Sequence, residues 1–163
     1  MPVQVAVCGP RFCTERDKDQ AYEVGRLLAQ AGATVLNGGG IGVMAAVSAG
    51  ARSADGLVIG IRPGATRDDA NPDLSAVLVT NMGEARNAIL VWSADAVIVV
   101  GGSWGTLSEL ALAKRRGVPV VSLGGWQILD ADGNPVPDAP PTAATPRDAV
   151  TFALSRPGEP GSP

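Results

Sequence analysis

The sequence has no histidine among its 163 residues and only two lysines, Lys18 and Lys114. Without histidine there is no Ser-His-Asp triad, no Cys-His pair and no HExxH zinc helix. Both lysines fall in stretches predicted to be exposed helix, which argues against a lysine Schiff base with pyridoxal phosphate. Any catalysis must therefore use carboxylates, arginine, hydroxyls or backbone dipoles.

Cysteine, basic charge and long apolar runs are also scarce. Cys8 and Cys13 are too few for a disulfide scaffold and do not form a C-x-x-C pair, so we expect two bystander thiols in a reducing compartment. A net charge of −3 provides no basic field for nucleic acid. No apolar run reaches about 18 residues, and no signal peptide is recognisable. We therefore expect a cytoplasmic protein with no membrane partner, no nucleic-acid partner, no metal site and no resident cofactor.

Glycine and proline are abundant but unevenly spread. The chain has 21 glycines, mostly in its first three quarters, and 13 prolines, mostly after Gly124. Glycines at the ends of apolar runs indicate tight turns, whereas the prolines indicate an irregular C-terminal part. With 45% hydrophobic residues, the length suits one compact domain over residues 1–156, followed by a disordered tail at 157–163.

Short β-branched runs alternate with longer Ala- and Leu-rich stretches. The strands are apolar almost throughout, which is typical of strands covered on both faces. This alternation predicts an α/β protein with a Rossmann-like doubly wound parallel sheet and helices on both faces. The predicted strands are 3–7, 34–36, 57–59, 75–80, 96–100 and 118–122, and the predicted helices are 17–31, 41–54, 83–93, 106–116 and 145–154.

Turns that carry glycine follow four of the predicted strands. Ligands of parallel α/β sheets bind beyond the carboxyl ends of the strands, so we expect these four turns to converge on one site. Two of them open directly onto a helix, where free backbone N–H groups favour a phosphate. The segment Gly40-Ile-Gly42-Val-Met-Ala45 also fits a dinucleotide fingerprint. It follows the second strand rather than the first, however, and such glycines can equally serve close packing between strand and helix.

Glu109 and Arg86 are the candidate reactive groups, and each has a structural alternative. Glu109 stands three residues after Thr106, so the two residues can form a capping box at the start of a helix. The functional alternative is that a phosphate binds over the backbone of residues 102–106 and that Glu109 faces a sugar. Arg86 falls in the first turn of its helix, where the dipole disfavours a cation, while Ala85, Ile89 and Trp92 form the predicted buried stripe. A nearby anion would offset that cost; otherwise Arg86 is an ordinary solvated arginine.

Several motifs together resemble the Lonely Guy (LOG) superfamily, also known as "possible lysine decarboxylase". They are Gly38-Gly-Gly-x-Gly42-Val-Met44, Gly83-x-x-Arg86-Asn87, Ser93-Ala-Asp95-Ala, Gly101-Gly-x-x-Gly-Thr106-x-x-Glu109 and Gly124-Gly-Trp126. The chain is most similar to the short bacterial branch, which includes molybdenum cofactor carrier proteins and is related to the Rossmann domain of DNA-processing proteins.

The resemblance implies a homodimer that binds a nucleoside 5′-monophosphate or a similar phosphorylated heterocycle. By position it makes Arg86 and Glu109 the catalytic pair. From their position beside the expected site, Trp104 and Trp126 are candidates for stacking on a heterocycle, although buried packing is at least as common for tryptophan. Turns and motifs together give these binding candidates: Gly9, Pro10, Gly38, Gly39, Gly40, Gly42, Met44, Asn87, Gly101, Gly102, Ser103, Trp104, Gly105 and Thr106.

Three departures from the active members leave the activity open. Gly101 stands where the phosphate motif has proline, Ser103 where it has its second glycine, and Asn87 where it has lysine after an insertion of one residue. One hypothesis is a phosphoribohydrolase that cleaves the N-glycosidic bond of a nucleoside monophosphate to free base and ribose 5-phosphate. The other is a binding or carrier protein, without catalysis, for a nucleotide or a molybdenum-cofactor-type phosphorylated pterin. The acidic balance disfavours DNA as the ligand.

Overall fold

The computed structural model describes residues 1–155; the end of the predicted domain at 156 and the predicted tail at 157–163 lie outside the described residues. This part of the chain forms seven strands and five helices, and none of its helices has the length and apolarity needed to cross a membrane. In chain order they are β1 (Gln4–Cys8), α1 (Glu15–Gln30), β2 (Thr34–Asn37), α2 (Val43–Arg52), β3 (Val58–Arg62), β4 (Ala76–Val79), α3 (Arg86–Trp92), β5 (Ala96–Val100), α4 (Trp104–Arg116), β6 (Val120–Leu123), β7 (Thr142–Ala143) and α5 (Pro146–Leu154).

All seven strands belong to one parallel sheet, in the order β4-β3-β2-β1-β5-β6-β7. The chain starts at the centre, winds out through β2 and β3 to β4, and then returns to place β5 on the other side of β1. The topological switch point therefore lies between β1 and β5. This is the predicted doubly wound Rossmann-like fold.

Side chains of each strand alternate between two apolar layers. Val5 and Val7 belong to a core shared with α1, α2 and α5, whereas Ala6 and Cys8 belong to a core shared with α3 and α4. Both faces of the sheet are thus covered by helices. This explains why the central strands, β1, β2, β5 and β6, read as apolar runs rather than as alternating patterns, whereas the apolar edge strand β4 is mostly exposed.

The third helix begins later than the sequence predicts. Gly83–Ala85 forms a short 3-10 helix, and α3 starts only at Arg86. The later start rotates the buried stripe, which consists of Asn87, Leu90 and Val91 rather than Ala85, Ile89 and Trp92. The predicted stripe was wrong at Ala85, which is exposed, and at Trp92, which is 65% exposed, whereas Ile89 is partly buried against the core.

A seventh strand escapes the sequence pattern. β7 has only two residues, Thr142 and Ala143, which pair with Ser122 and Leu123 of β6. It lies in the proline-rich part that we predicted to be irregular. Two residues cannot display an alternating pattern, and the strand forms because β6 offers it an open edge.

Glycines allow α1 and α2 to cross at very short range. A Cβ placed on Gly25 would collide with the backbone carbonyl of Val47, and one placed on Gly50 would collide with that of Tyr22. Backbone cannot yield as a flexible side chain can, so these positions accept no larger residue without displacement of a helix.

The helix crossing yields a stability test. Alanine favours a helix over glycine by about 1 kcal/mol, yet we expect Gly50→Ala to lower the free energy of unfolding by about 1–3 kcal/mol through overpacking. Gly64→Ala is the matched control, because a Cβ there meets nothing within 4 Å, and it should change stability by less than about 0.5 kcal/mol. Urea denaturation of both variants measures the difference. Unchanged or increased stability of Gly50→Ala would contradict the close crossing.

Candidate functional site

A cavity of about 580 Å³ lies over the carboxyl ends of β1 and β5, at the topological switch point. The turns after β1, β4 and β5 all contribute to its wall, as expected from their position at one edge of the sheet. We call it the central cavity. Its wall is formed by Gly9, Pro10, Arg11, Phe12, Met44, Pro63, Gly83, Glu84, Arg86, Asn87, Ser103, Gly105, Thr106 and Glu109.

The central cavity brings together nine of the predicted site residues and leaves seven outside its wall. Those in the wall are Gly9, Pro10, Met44, Arg86, Asn87, Ser103, Gly105, Thr106 and Glu109. Those outside are Gly38, Gly39, Gly40, Gly42, Gly101, Gly102 and Trp104. Sequence reasoning missed Arg11 and Phe12, although both directly follow Gly9-Pro10 at the end of β1.

The loop after β2 is held by buried amides. Asn37 accepts a hydrogen bond from the Gly39 N–H at 2.7 Å and donates to Ser48 Oγ at 2.9 Å. Asn71 donates to the Gly40 carbonyl at 3.2 Å. The backbone of this loop is therefore held in place beside the central cavity. Met44, just after the loop, lines the cavity, and the Gly38 carbonyl binds the side chain of Arg86, which also lines it.

Ser103, not Thr106, caps the N-terminus of α4. Its Oγ accepts a hydrogen bond from the Thr106 N–H at 3.2 Å and lies 2.9 Å from Thr106 Oγ1. The helix consequently begins at Trp104, two residues before the predicted start. The predicted capping box of Thr106 with Glu109 is therefore wrong: Glu109 lies a full turn further into the helix and is free for another role.

Glu109 is a buried carboxyl group, only 8% exposed. Burial raises its pKa to about 7, against the opposing influence of the Arg86 guanidinium and the Cys8 thiol. Cys8, which we predicted to be a bystander, lies at the end of β1 beside this carboxyl group, and burial raises the pKa of its thiol. Near neutral pH Glu109 can therefore either donate or accept a proton.

Arg86 is half-buried and is fixed by backbone carbonyls. Its Nη1 donates to the Gly38 carbonyl at 3.0 Å and to the Ile61 carbonyl at 2.7 Å. Its Nε is buried and has no hydrogen-bond partner within residues 1–155, and no ion pair joins it to a carboxylate there. Desolvation lowers the pKa of Arg86, while the charge of Glu109 raises it. Arg86 is therefore not an ordinary solvated arginine.

Asn87 links α3 to α4 beside the cavity. Its Nδ2 donates to Ser108 Oγ at 3.2 Å, and Ser108 Oγ donates to the Gly105 carbonyl at 2.7 Å. The second bond occupies the Ser108 proton, which fixes the orientation of the Asn87 amide. Asn87 thus positions the wall of the central cavity without adding a charge to it.

The two candidate stacking residues pack on each other. The rings of Trp104 and Trp126 meet edge to face, with centroids 4.9 Å apart. A Cβ on Gly102 would collide with the Trp126 ring, so this glycine makes room for the aromatic pair. Trp104 is 79% exposed and lies outside the wall of the central cavity.

The family model for the SLOG cluster4 family matches residues 2–144, and the chain belongs to this family. A protein of Archaeoglobus fulgidus is 40% identical over 153 residues, which cover 94% of this chain and 95% of the relative. A cytokinin riboside 5′-monophosphate phosphoribohydrolase of Mycobacterium tuberculosis is 34% identical over 119 residues, or 68% of this chain and 64% of that enzyme. The suspected LOG-type superfamily is thereby confirmed.

Solved structures show the same fold over nearly the whole chain. The molybdenum cofactor binding protein of Rippkaea orientalis superposes with a TM-score of 0.83 at 34% identity, covering 93% of this chain and 95% of that one. The molybdenum cofactor carrier protein of Chlamydomonas reinhardtii gives 0.78 at 30% identity, with coverages of 93% and 95%. DNA processing protein A of Streptococcus pneumoniae, at 20% identity and a TM-score of 0.72, covers 95% of this chain and 63% of its own, and shares the fold alone.

Protonation of Glu109 should make stability depend on pH. Its pKa of about 7 in the folded protein exceeds the 4.5 of an ordinary glutamate, so between these values the folded state holds a proton that the unfolded state has lost. The contribution of Glu109 to the free energy of unfolding should therefore be greatest below pH 4.5. It should decrease as pH rises through 7, by about 3 kcal/mol once pH 8 is reached.

Glu109→Gln is the reference, because it removes the titration and preserves the shape. The difference in unfolding free energy between wild type and this variant, from urea denaturation at pH 4.5 to 8, isolates the contribution of Glu109. A difference independent of pH would contradict the buried carboxyl group.

Proposed function

We propose that this member of the SLOG cluster4 family binds a small phosphorylated heterocycle, of the molybdenum-cofactor pterin type, in the central cavity and carries it without cleaving it. The proposal rests on one observation: the cavity places the N-terminus of α4 and the Arg86 guanidinium around a buried carboxyl group with a pKa near 7. Such a cavity offers donors for an anion and a group that can pair with a ring edge.

The phosphate would lie over the start of α4. Backbone N–H groups of the first helical turn and the positive end of the helix dipole favour an anion. Ser103, Gly105 and Thr106 line the cavity there, and the glycine lets a ligand approach the backbone closely. Arg86, from the start of α3, adds positive charge to the same cavity.

The heterocycle would meet Glu109. A pterin ring presents amide-like N–H and C=O groups, and a half-protonated carboxyl group can accept from the former or donate to the latter. Apolar contacts are available from Met44 and Phe12 in the same wall. The carrier reading is also supported by the full-length similarity to the molybdenum cofactor binding and carrier proteins.

Hydrolysis of a nucleoside monophosphate is the second candidate, favoured by the pairing of Glu109 with Arg86 in one cavity. In that reaction a water oxygen adds to the anomeric carbon of the ribose, and the carbon–nitrogen bond breaks with its electron pair going to the base. Ionised Glu109 would stabilise the oxocarbenium-like centre and take the proton of the water, and transfer of this proton to the base nitrogen, directly or through solvent, would complete the reaction and restore the carboxylate. The partial similarity to the phosphoribohydrolase supports this alternative.

Ligand retention and base release distinguish the two functions. We expect native mass spectrometry of the purified protein to show a bound phosphorylated heterocycle, and chromatography to show no free base after incubation with AMP. Glu109→Gln should then change affinity for the retained ligand less than about threefold. Thr106→Val, which removes a hydroxyl of the cavity wall, should weaken it by about tenfold, or 1.4 kcal/mol.

Glu84→Gln is the matched control, because Glu84 is an exposed carboxylate in the same wall. This variant should change neither the affinity for the retained ligand nor the release of free base. Base release that Glu109→Gln abolishes and Glu84→Gln leaves intact would overturn the carrier function in favour of hydrolysis. The homodimer and the cytoplasmic location stay predictions; analytical ultracentrifugation tests the former.

A further inference from the structure

A second cavity of about 580 Å³ lies on the other side of the loop after β2. Its wall includes Arg11, Gly40, Arg62, Asp69 and Asn71. Arg11 also lines the central cavity, so the two spaces are neighbours with one arginine between them. We call it the arginine cavity.

Arg62 enters this cavity along a path left open by glycine. It is the last residue of β3, and its side chain runs over the loop: a Cβ on Gly39 would lie 2.8 Å from Arg62 Cδ, and one on Gly40 would lie 3.4 Å from Arg62 Nη1. The bare backbone of the loop therefore lets the guanidinium lie against it. Any larger residue at Gly39 would displace Arg62.

The Arg62 side chain is partly buried, and its guanidinium has no hydrogen-bond or ion-pair partner in the described part of the chain. Its Nε is buried without a hydrogen-bond partner within residues 1–155. No ion pair of the described chain involves Arg62 or Arg11, although Asp69 shares the cavity wall. The Nη atoms are not among the buried atoms, and no hydrogen bond of the described residues involves them, so they are the donors that an acceptor in the cavity can reach.

Arg62 and Arg86 both lie against the loop after β2, Arg86 at Gly38 and Arg62 at Gly39. Desolvation lowers the pKa of Arg86, and the nearby charge of Arg62 acts in the same direction. Of the carboxyl groups that line the two cavities, Glu109 is buried and readily protonated, and Glu84 and Asp69 are exposed. Two guanidinium groups that lie against one loop, neither within ion-pair distance of a described carboxylate, form a site for two separate anionic groups.

We propose that the arginine cavity is a second anion subsite, and that the ligand is a small heterocyclic phosphate carrying a second anionic group. One anionic group would lie at the start of α4 near Arg86, and the other would lie against Arg62 and Arg11. A planar guanidinium can bind a phosphate through two parallel hydrogen bonds, which the two Nη atoms of Arg62 would donate. This inference rests on the proposed binding function of the central cavity and extends it to the ligand class.

Inorganic phosphate tests the two subsites without a chosen ligand. In ¹⁵N NMR titrations of the whole protein, amides of residues 40–42 and of residues 103–106 should shift as two separate groups with independent saturation. Arg62→Gln should abolish the response at 40–42 and preserve that at 103–106. Arg67→Gln, which removes an exposed arginine from the neighbouring segment outside both walls, should preserve both.

Calorimetry with adenine nucleotides gives the second measurement. Adenosine 3′,5′-bisphosphate should bind the wild type at least tenfold more tightly than AMP, and Arg62→Gln should reduce that ratio to less than twofold with AMP affinity unchanged. Equal affinity for both nucleotides in the wild type, or equal weakening of both by Arg62→Gln, would overturn the second subsite and leave the central cavity intact. Absence of any response to phosphate and to either nucleotide would overturn the proposed binding function as well.

Discussion

The two hydrogen bonds from Arg86 to the carbonyls of Gly38 and Ile61 tie three parts of the chain together. They join the start of α3 to the ends of β2 and β3, where the sheet would otherwise present unpaired carbonyl groups to a cavity. Because these acceptors are neutral, the guanidinium keeps its full charge. That charge opposes the effect of burial on Glu109, so the position of one side chain sets both the shape of the cavity and its electrostatics.

The cavity exists because the helices on the two sides of the switch point belong to different layers. After β1 the chain passes to α1 on one face, and after β5 it passes to α4 on the other. The turns after β1 and β5 therefore diverge and leave a space over the ends of these two strands. At the base of this space Gly9 allows the two strands to end close together, since a Cβ there would lie 2.6 Å from the Val100 carbonyl oxygen. Fold and site thus follow from the same order of strands.

The sequence reveals the sheet well because six of its strands are apolar on both faces, and it reveals the turns because glycine is concentrated there. It does not reveal side-chain direction at helix starts. Ser103 rather than Thr106 caps α4, so Glu109 lies beyond the first turn of the helix and lines the cavity instead of forming a capping box. Arg62 was missed for a related reason: β3 was predicted to end at Ile59, three residues before the arginine that closes the strand. Such boundaries depend on tertiary contacts that no local pattern records.

The charge of Glu109 in the complex links these observations to function. A phosphate bound at the start of α4 brings negative charge into the same cavity, and negative charge raises the pKa of a carboxyl group further. Stabilisation of an oxocarbenium centre requires an ionised Glu109, and nearby cations or hydrogen-bond donors such as the Cys8 thiol would have to offset the charge of the phosphate. The active relatives that the motif resembles have a lysine where this chain has Asn87, which is neutral and committed to Ser108. With Arg86 as the cation whose charge lowers the pKa of Glu109, a bound phosphate would favour a protonated Glu109 able to hold a ring by hydrogen bonding, and this supports the proposed carrier function over hydrolysis.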